Sequence, residues 1–155
     1  MQRKTTFSGA SDLELWYIED ALADCRYVQA SSANLASAVE LLRGVESEIH
    51  PLSRADLIRA VDDANDPVSL GVALMRLGAS APVEFDEEIH EVISGQFYSE
   101  YDVVRDMAVW AATYAPYGQY RPDLEELCEN DESEKIRNRA RAVLPIFTRI
   151  EGGAG

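Results

Sequence analysis

The residues able to do chemistry are few. The chain holds two histidines and two cysteines against a large surplus of carboxylates. His50 precedes Pro51 and reads as a turn residue. His90 sits beside Glu87 and Glu91, where a lone imidazole on an acidic helix is a solvated side chain. Paired carboxylates such as Glu87 and Glu88 are neighbours in sequence and diverge on a helix. There is no His-Glu-x-x-His, no Cys-x-x-Cys, no Gly-x-Ser-x-Gly and no glycine loop that would cradle a phosphate. These absences give no enzyme constellation, no metal site and no cofactor, and they leave recognition as the chemistry to expect.

Two residue sets could recognise a partner. The first is acidic: Asp62, Asp63 and Asp66, then Asp86, Glu87, Glu88 and Glu91, then Glu125, Glu126 and Glu129. They recur at equivalent places on successive helices and are expected to align as a stripe that docks a cationic protein. The second is aromatic: Tyr98 and Tyr101 with Phe97 at one helix junction, and Tyr114, Tyr117 and Tyr120 at the next. Tyrosine beside carboxylates is hot-spot chemistry, a rigid apolar body with a polar tip. Pro116, Gly118 and Pro122 shape the second junction. Both junctions are expected at one edge of the fold, with Tyr117 and Tyr120 exposed. A third set is basic: Lys135, Arg137, Arg139, Arg141 and Arg149. It amounts to one helix's worth in an acidic protein.

The charge balance supports that ordering. Twenty-eight acidic residues face fourteen basic ones, a net charge of −14. Such a surface repels phosphate backbones, so no nucleic acid is expected. It steers cationic partners. The acid is spread along the chain among periodic apolar residues, as in a folded domain. Apolar content of 46% suffices for one core in 155 residues. No run of 18 apolar residues suggests a membrane span. The start, Met-Gln-Arg-Lys-Thr-Thr-Phe, lacks an apolar signal core. Cys25 and Cys128 read as reduced thiols on apolar helix faces, which fits a cytoplasmic protein.

The elements that must position these residues read as helices throughout. Residues 1–10 and 151–155 read as flexible. Ser11-Asp12-Leu13-Glu14 reads as a capping box opening a helix to about Gln29, with Leu15, Ile18, Leu22, Cys25 and Val28 inward. Asn34 caps a second helix that ends near Gly44, and Ser53 a third. Asp66-Pro67 sets an N-cap with proline at the first helical position, and Gly78 closes that helix. Phe85, Ile89, Val92 and Ile93 define the next. Helices over about 99–115 and 133–147 follow, with a shorter one carrying Leu124, Leu127 and Cys128 between them. Val104, Met107, Ala108 and Ala111 on one face, and Val103, Trp110 and Tyr114 on another, mark the first of these as sandwiched. No alternating run bounded by hairpin turns stands out. The expected fold is an all-α single domain of about four antiparallel helix pairs, with 66–78, 99–115 and 133–147 side by side as an inner layer.

The chain also repeats itself. Val104-Arg105-Asp106-Met107-Ala108 aligns with Ile136-Arg137-Asn138-Arg139-Ala140 at an offset of 32 residues. Ile89, Val92 and Ile93 align with Leu124, Leu127 and Cys128 at an offset of 35, and Asp66–Leu70 is a weaker copy. This pattern resembles HEAT-like helical repeats over about 53–150, an α-solenoid. The resemblance implies structural ion pairs for Arg105 and Arg137. Being small, acidic and free of catalytic motifs, the chain is also similar to immunity proteins that cover the active site of a cationic toxin such as a nuclease. The alternatives are an adaptor or assembly factor of the same repeat type, or a HEAT-like enzyme such as a DNA glycosylase or a tetrapyrrole lyase.

Overall fold

A computed structural model describes residues 2–8 and 12–151, the last four by backbone alone. The chain divides into two compact units, Met1–Ser53 and Arg54–Gly155, where the sequence reads as one repeat domain.

The first unit corrects the all-α expectation. Strands form where β-branched and aromatic residues cluster. Thr5, Thr6 and Phe7 lie in β1 (Gln2–Ser8), the run Leu15–Ile18 in β2 (Glu14–Asp20), and Tyr27 and Val28 in β3 (Cys25–Ser31). They build one antiparallel sheet ordered β1-β2-β3. Phe7 lies opposite Leu15, Tyr17 opposite Val28 and Ile18 opposite Tyr27. The expected helix from Ser11 to Gln29 is therefore a hairpin. Asp20 ends its first strand by accepting the N–H groups of Leu22 at 2.8 Å and Ala23 at 3.2 Å, an aspartate turn. Asp24 completes the reversal with φ 45, which aspartate tolerates. Glu14 opens β2 rather than a helical turn, and Ser11 of the supposed box lies outside the described residues. Cys25 is on a strand, not a helix face. Neither cysteine forms a disulfide among the described residues.

The N-terminal stretch read as flexible contains β1, whereas residues 1, 9, 10 and 152–155 lie outside the described residues. Lys4 holds its ammonium 3.1 Å from the centre of the Trp16 ring, one face of this sheet. Helix α1 (Leu35–Ile49) packs against β3. Its cap is as expected: Asn34 Oδ1 accepts the Ala36 N–H at 2.9 Å. Gly44 lies inside α1, which runs on to a left-handed His50 at φ 48.

The second unit is helical among its described residues. In order it has α2 (Arg54–Asp62), α3 (Pro67–Ser80), α4 (Glu87–Gly95), α5 (Asp102–Tyr114), α6 (Arg121–Asn130) and α7 (Glu134–Glu151). That is three helix pairs, not four. Helix α3 packs on α5 and α5 on α7, while α2 lies on α3 and α6 on α7. Asp66 caps α3 as its sequence indicates, accepting from the N–H groups of Val68 and Ser69. Gly78 does not end α3. It permits a close crossing, because a Cβ there would run into the Ala111 carbonyl oxygen of α5.

The core runs from Leu57 to Phe147 through Leu74, Leu77, Ile93, Val104, Val109 and Ile136. Leu74 is fully buried, so Leu74→Ala should lower unfolding free energy by about 2–5 kcal/mol in urea titration. Trp110, expected in the same core, is only half-buried. The Arg139 guanidinium stacks 4.6 Å from its ring centre. A loss at Leu74 no larger than that of an exposed-site variant would remove it from the core.

Candidate protein-binding site

The acidic set is largely displayed. Glu87, Glu88 and Glu91 on α4 and Glu125, Glu126 and Glu129 on α6 are exposed. Both helices flank the short 3-10 turn Gly118–Tyr120. Asp86 caps α4, accepting the Ile89 N–H at 3.1 Å, and pairs with Arg54 at 2.5 Å. The Ile89 bond, with help from Arg54, holds its carboxyl below the usual carboxylate range. Asp66 is held low in the same way by Ser69, through its hydroxyl and its N–H. Arg54 also reaches Glu88 at 2.7 Å, and Arg121 pairs with Glu125 at 2.8 Å. Asn130 donates to Glu126 at 3.0 Å.

The tyrosines divide differently from the expectation. Tyr101 is the N-cap of α5 and Tyr114 its last residue, so about 20 Å of helix separates them at 1.5 Å per residue. They do not share an edge. Tyr98 and Tyr101 are the exposed pair, at 62% and 48%. Tyr98 Oη donates to Asp123 at 2.7 Å, and that bond pushes its pKa up to about 12. Tyr114 is half-buried.

Tyr117 and Tyr120, expected to face solvent, are buried. Tyr120 is the hub of an aromatic cluster. It lies 4.7 Å from His90, 5.8 Å from Phe97 and Tyr117, and 6.2 Å from Phe147. The cause is local. The turn Gly118–Tyr120 runs straight into α6, with Tyr120 as its N-cap, so the ring is carried inward with Leu124. Burial raises the pKa of Tyr120, and burial with nearby Asp86 raises that of Tyr117.

Tyr117 nonetheless shapes the surface. Its hydroxyl donates to the Pro82 carbonyl at 2.9 Å, and its ring meets Phe85 edge-on at 5.3 Å. The loop it holds displays Val83, 97% exposed, and Phe85, 46% exposed. Neither belongs to the residue sets that the sequence offers for recognition, and Phe85 reads there as part of a helix face. A signal was present: Phe85 precedes the Asp86 cap and packs on His90 at 5.5 Å, the staple position at a helix start.

The basic set is engaged within the chain, although Lys135 and Arg141 remain exposed. Lys135 and Arg139 both pair with Asp106 at 2.9 Å. Burial pushes the Asp106 carboxyl up, but these bonds outweigh it and hold the pKa low. Arg137 donates to the carbonyls of Asp131 and Glu132 at 2.5 Å and 3.1 Å, and Arg141 to Asn138 at 2.9 Å. The Arg149 side chain lies outside the described residues. Among the described residues no group of three or more His, Cys, Asp or Glu could hold a metal ion, and no helix is long and apolar enough to cross a membrane. The candidate site is a surface of exposed carboxylates with a small apolar centre at Val83 and Phe85. Comparison of the chain with family models, curated proteins and solved structures finds no match.

Proposed function

We propose that this chain is a protein-binding module that docks a cationic protein. In its specific form it is a cytoplasmic immunity-type inhibitor that neutralises a basic toxin, such as a nuclease, by covering its active site. One observation carries the reading. The Arg54–Gly155 unit has twenty acidic and ten basic residues, and its central cations are spent on internal partners. Arg105, Lys135 and Arg139 sit in ion pairs, while Arg137 bonds carbonyls. The exposed glutamates of α4 and α6 therefore set the outward field, which steers a positive partner.

The product of the adjacent gene is the direct test. Expressed alone it should arrest growth, and coexpression with this chain should restore growth. Association should slow as salt rises, because the Debye length falls from about 10 Å at 0.1 M to about 3 Å at 1 M. Combined Glu87→Lys, Glu88→Lys and Glu91→Lys should lower the on-rate about tenfold at low salt, the lower end of electrostatic steering. A harmless neighbour, or an on-rate indifferent to both changes, overturns the proposal.

A further inference from the structure

The loop between α3 and α4 exposes apolar surface on a fixed backbone. Val83 and Phe85 face solvent within two residues of each other. Tyr117 holds the loop at Pro82, and Arg54 and the Ile89 N–H hold it at Asp86. A backbone so tied loses little entropy when a partner docks. Its rim is acidic, since Glu84, Glu87 and Glu88 are exposed. Arg54 already places one guanidinium nitrogen within 2.5 Å of Asp86 and 2.7 Å of Glu88. The carboxylates at this end of α4 thus suit a guanidinium. Glu84 and Glu87 carry no ion pair among the described residues. Beneath the loop, His90 Nε2 and the fully buried Tyr120 hydroxyl have no hydrogen-bond partner among the described residues. These two rings lie against Phe85 and Tyr117, the aromatic residues at the loop.

We propose that this loop is the anchor of the docking face and receives an arginine of the basic partner, its guanidinium stacked on Phe85 and paired with Glu84 and Glu87, with apolar partner surface closing over Val83. This rests on the reading of the chain as a binder of a cationic protein. Arginine fits better than lysine because its planar fork stacks on a ring and pairs with carboxylates at once, while an ammonium is a compact, strongly hydrated charge.

Two nine-residue peptides serve as probes, one alternating arginine with leucine and one alternating lysine with leucine. Each is titrated at low salt, with affinity read by fluorescence anisotropy and contact by NMR of the His90 ring. The arginine peptide should bind about threefold tighter, the scale of one exposed cation–π contact. Phe85→Leu keeps an apolar group against His90 and should abolish that preference. Val83→Ser should weaken both peptides and leave the melting temperature unchanged. The His90 resonances should move with the arginine peptide. Equal affinities that Phe85→Leu does not alter, or a silent His90, overturn the anchor and leave the acidic docking face standing. Failure of both peptides to bind overturns the docking face as well.

Discussion

Tyr120→Ala should lower the unfolding free energy by about 3–5 kcal/mol, the range for deleting a large ring from a filled core. The ring is fully buried, and His90, Phe97, Tyr117 and Phe147 pack around it. Alanine would leave a hole that four aromatic neighbours cannot close without moving. Tyr120→Phe should behave oppositely. The hydroxyl has no partner among the described residues, and a buried unsatisfied donor costs about 1–3 kcal/mol. Removing it should leave stability unchanged or raised. The two variants are compared by urea unfolding at neutral pH. A loss above about 1 kcal/mol for Tyr120→Phe, a typical net hydrogen bond, would show that the hydroxyl is bonded after all.

The pH dependence gives a second handle on Tyr120. Its folded pKa is raised above 10.0, first by burial and then by Tyr117 and Asp86. Stability from keeping the phenol neutral is complete below pH 10 and drains away as pH rises through the folded pKa. Tyr120→Phe should flatten part of that alkaline loss.

How much of this could be read from the sequence differs between the units. In Arg54–Gly155 the helical periods are long and the caps explicit. Asp66-Pro67 marks a helix start, and α5 and α7, which the 32-residue offset aligns, are neighbours. In Met1–Ser53 two periods compete. Leu15, Ile18, Leu22, Cys25 and Val28 fit a helix stripe, yet Leu15-Trp16-Tyr17-Ile18 is an unbroken run of strand formers. Tertiary pairing decided for the strand, because β2 has ladder partners on both sides. The cue was Asp20 and Asp24 bracketing three small or apolar residues, a turn that reads as helix interior when only spacing is counted.

The candidate site was legible by residue type but not by orientation. The exposed glutamates follow from helix faces. The burial of Tyr117 and Tyr120 does not, because a tyrosine's polar tip can find either water or a carbonyl. Tyr117 finds the Pro82 carbonyl, 35 residues away, a contact no local pattern encodes.

Arg105→Ala should cost about 3–5 kcal/mol, the penalty for stripping one member from a buried ion pair. Arg105 and Asp131 side chains are 7% and 3% exposed and meet in a two-pronged contact, Nε to Oδ2 at 2.8 Å and Nη2 to Oδ1 at 3.1 Å. The third nitrogen donates to the Ser99 carbonyl at 2.8 Å. One guanidinium therefore ties the turn before α5 to the turn between α6 and α7. The Asp131 carboxylate extends the tie by accepting the Ser133 N–H at 2.8 Å, where α7 begins. Without Arg105 the carboxylate is left nearly dry and uncompensated. Arg105→Lys keeps the charge but loses the fork and should fall between wild type and alanine. Pairing Arg105→Leu with Asp131→Asn removes both charges and keeps an acceptor for Ser133, so the double variant should unfold later than Arg105→Leu alone. Arg121→Ala supplies the scale. Its pair with Glu125 is a partly exposed i,i+4 contact, worth about 0.3–0.5 kcal/mol. If Arg105→Ala costs no more than Arg121→Ala in the same urea titration, the buried pair is not what holds these two turns together.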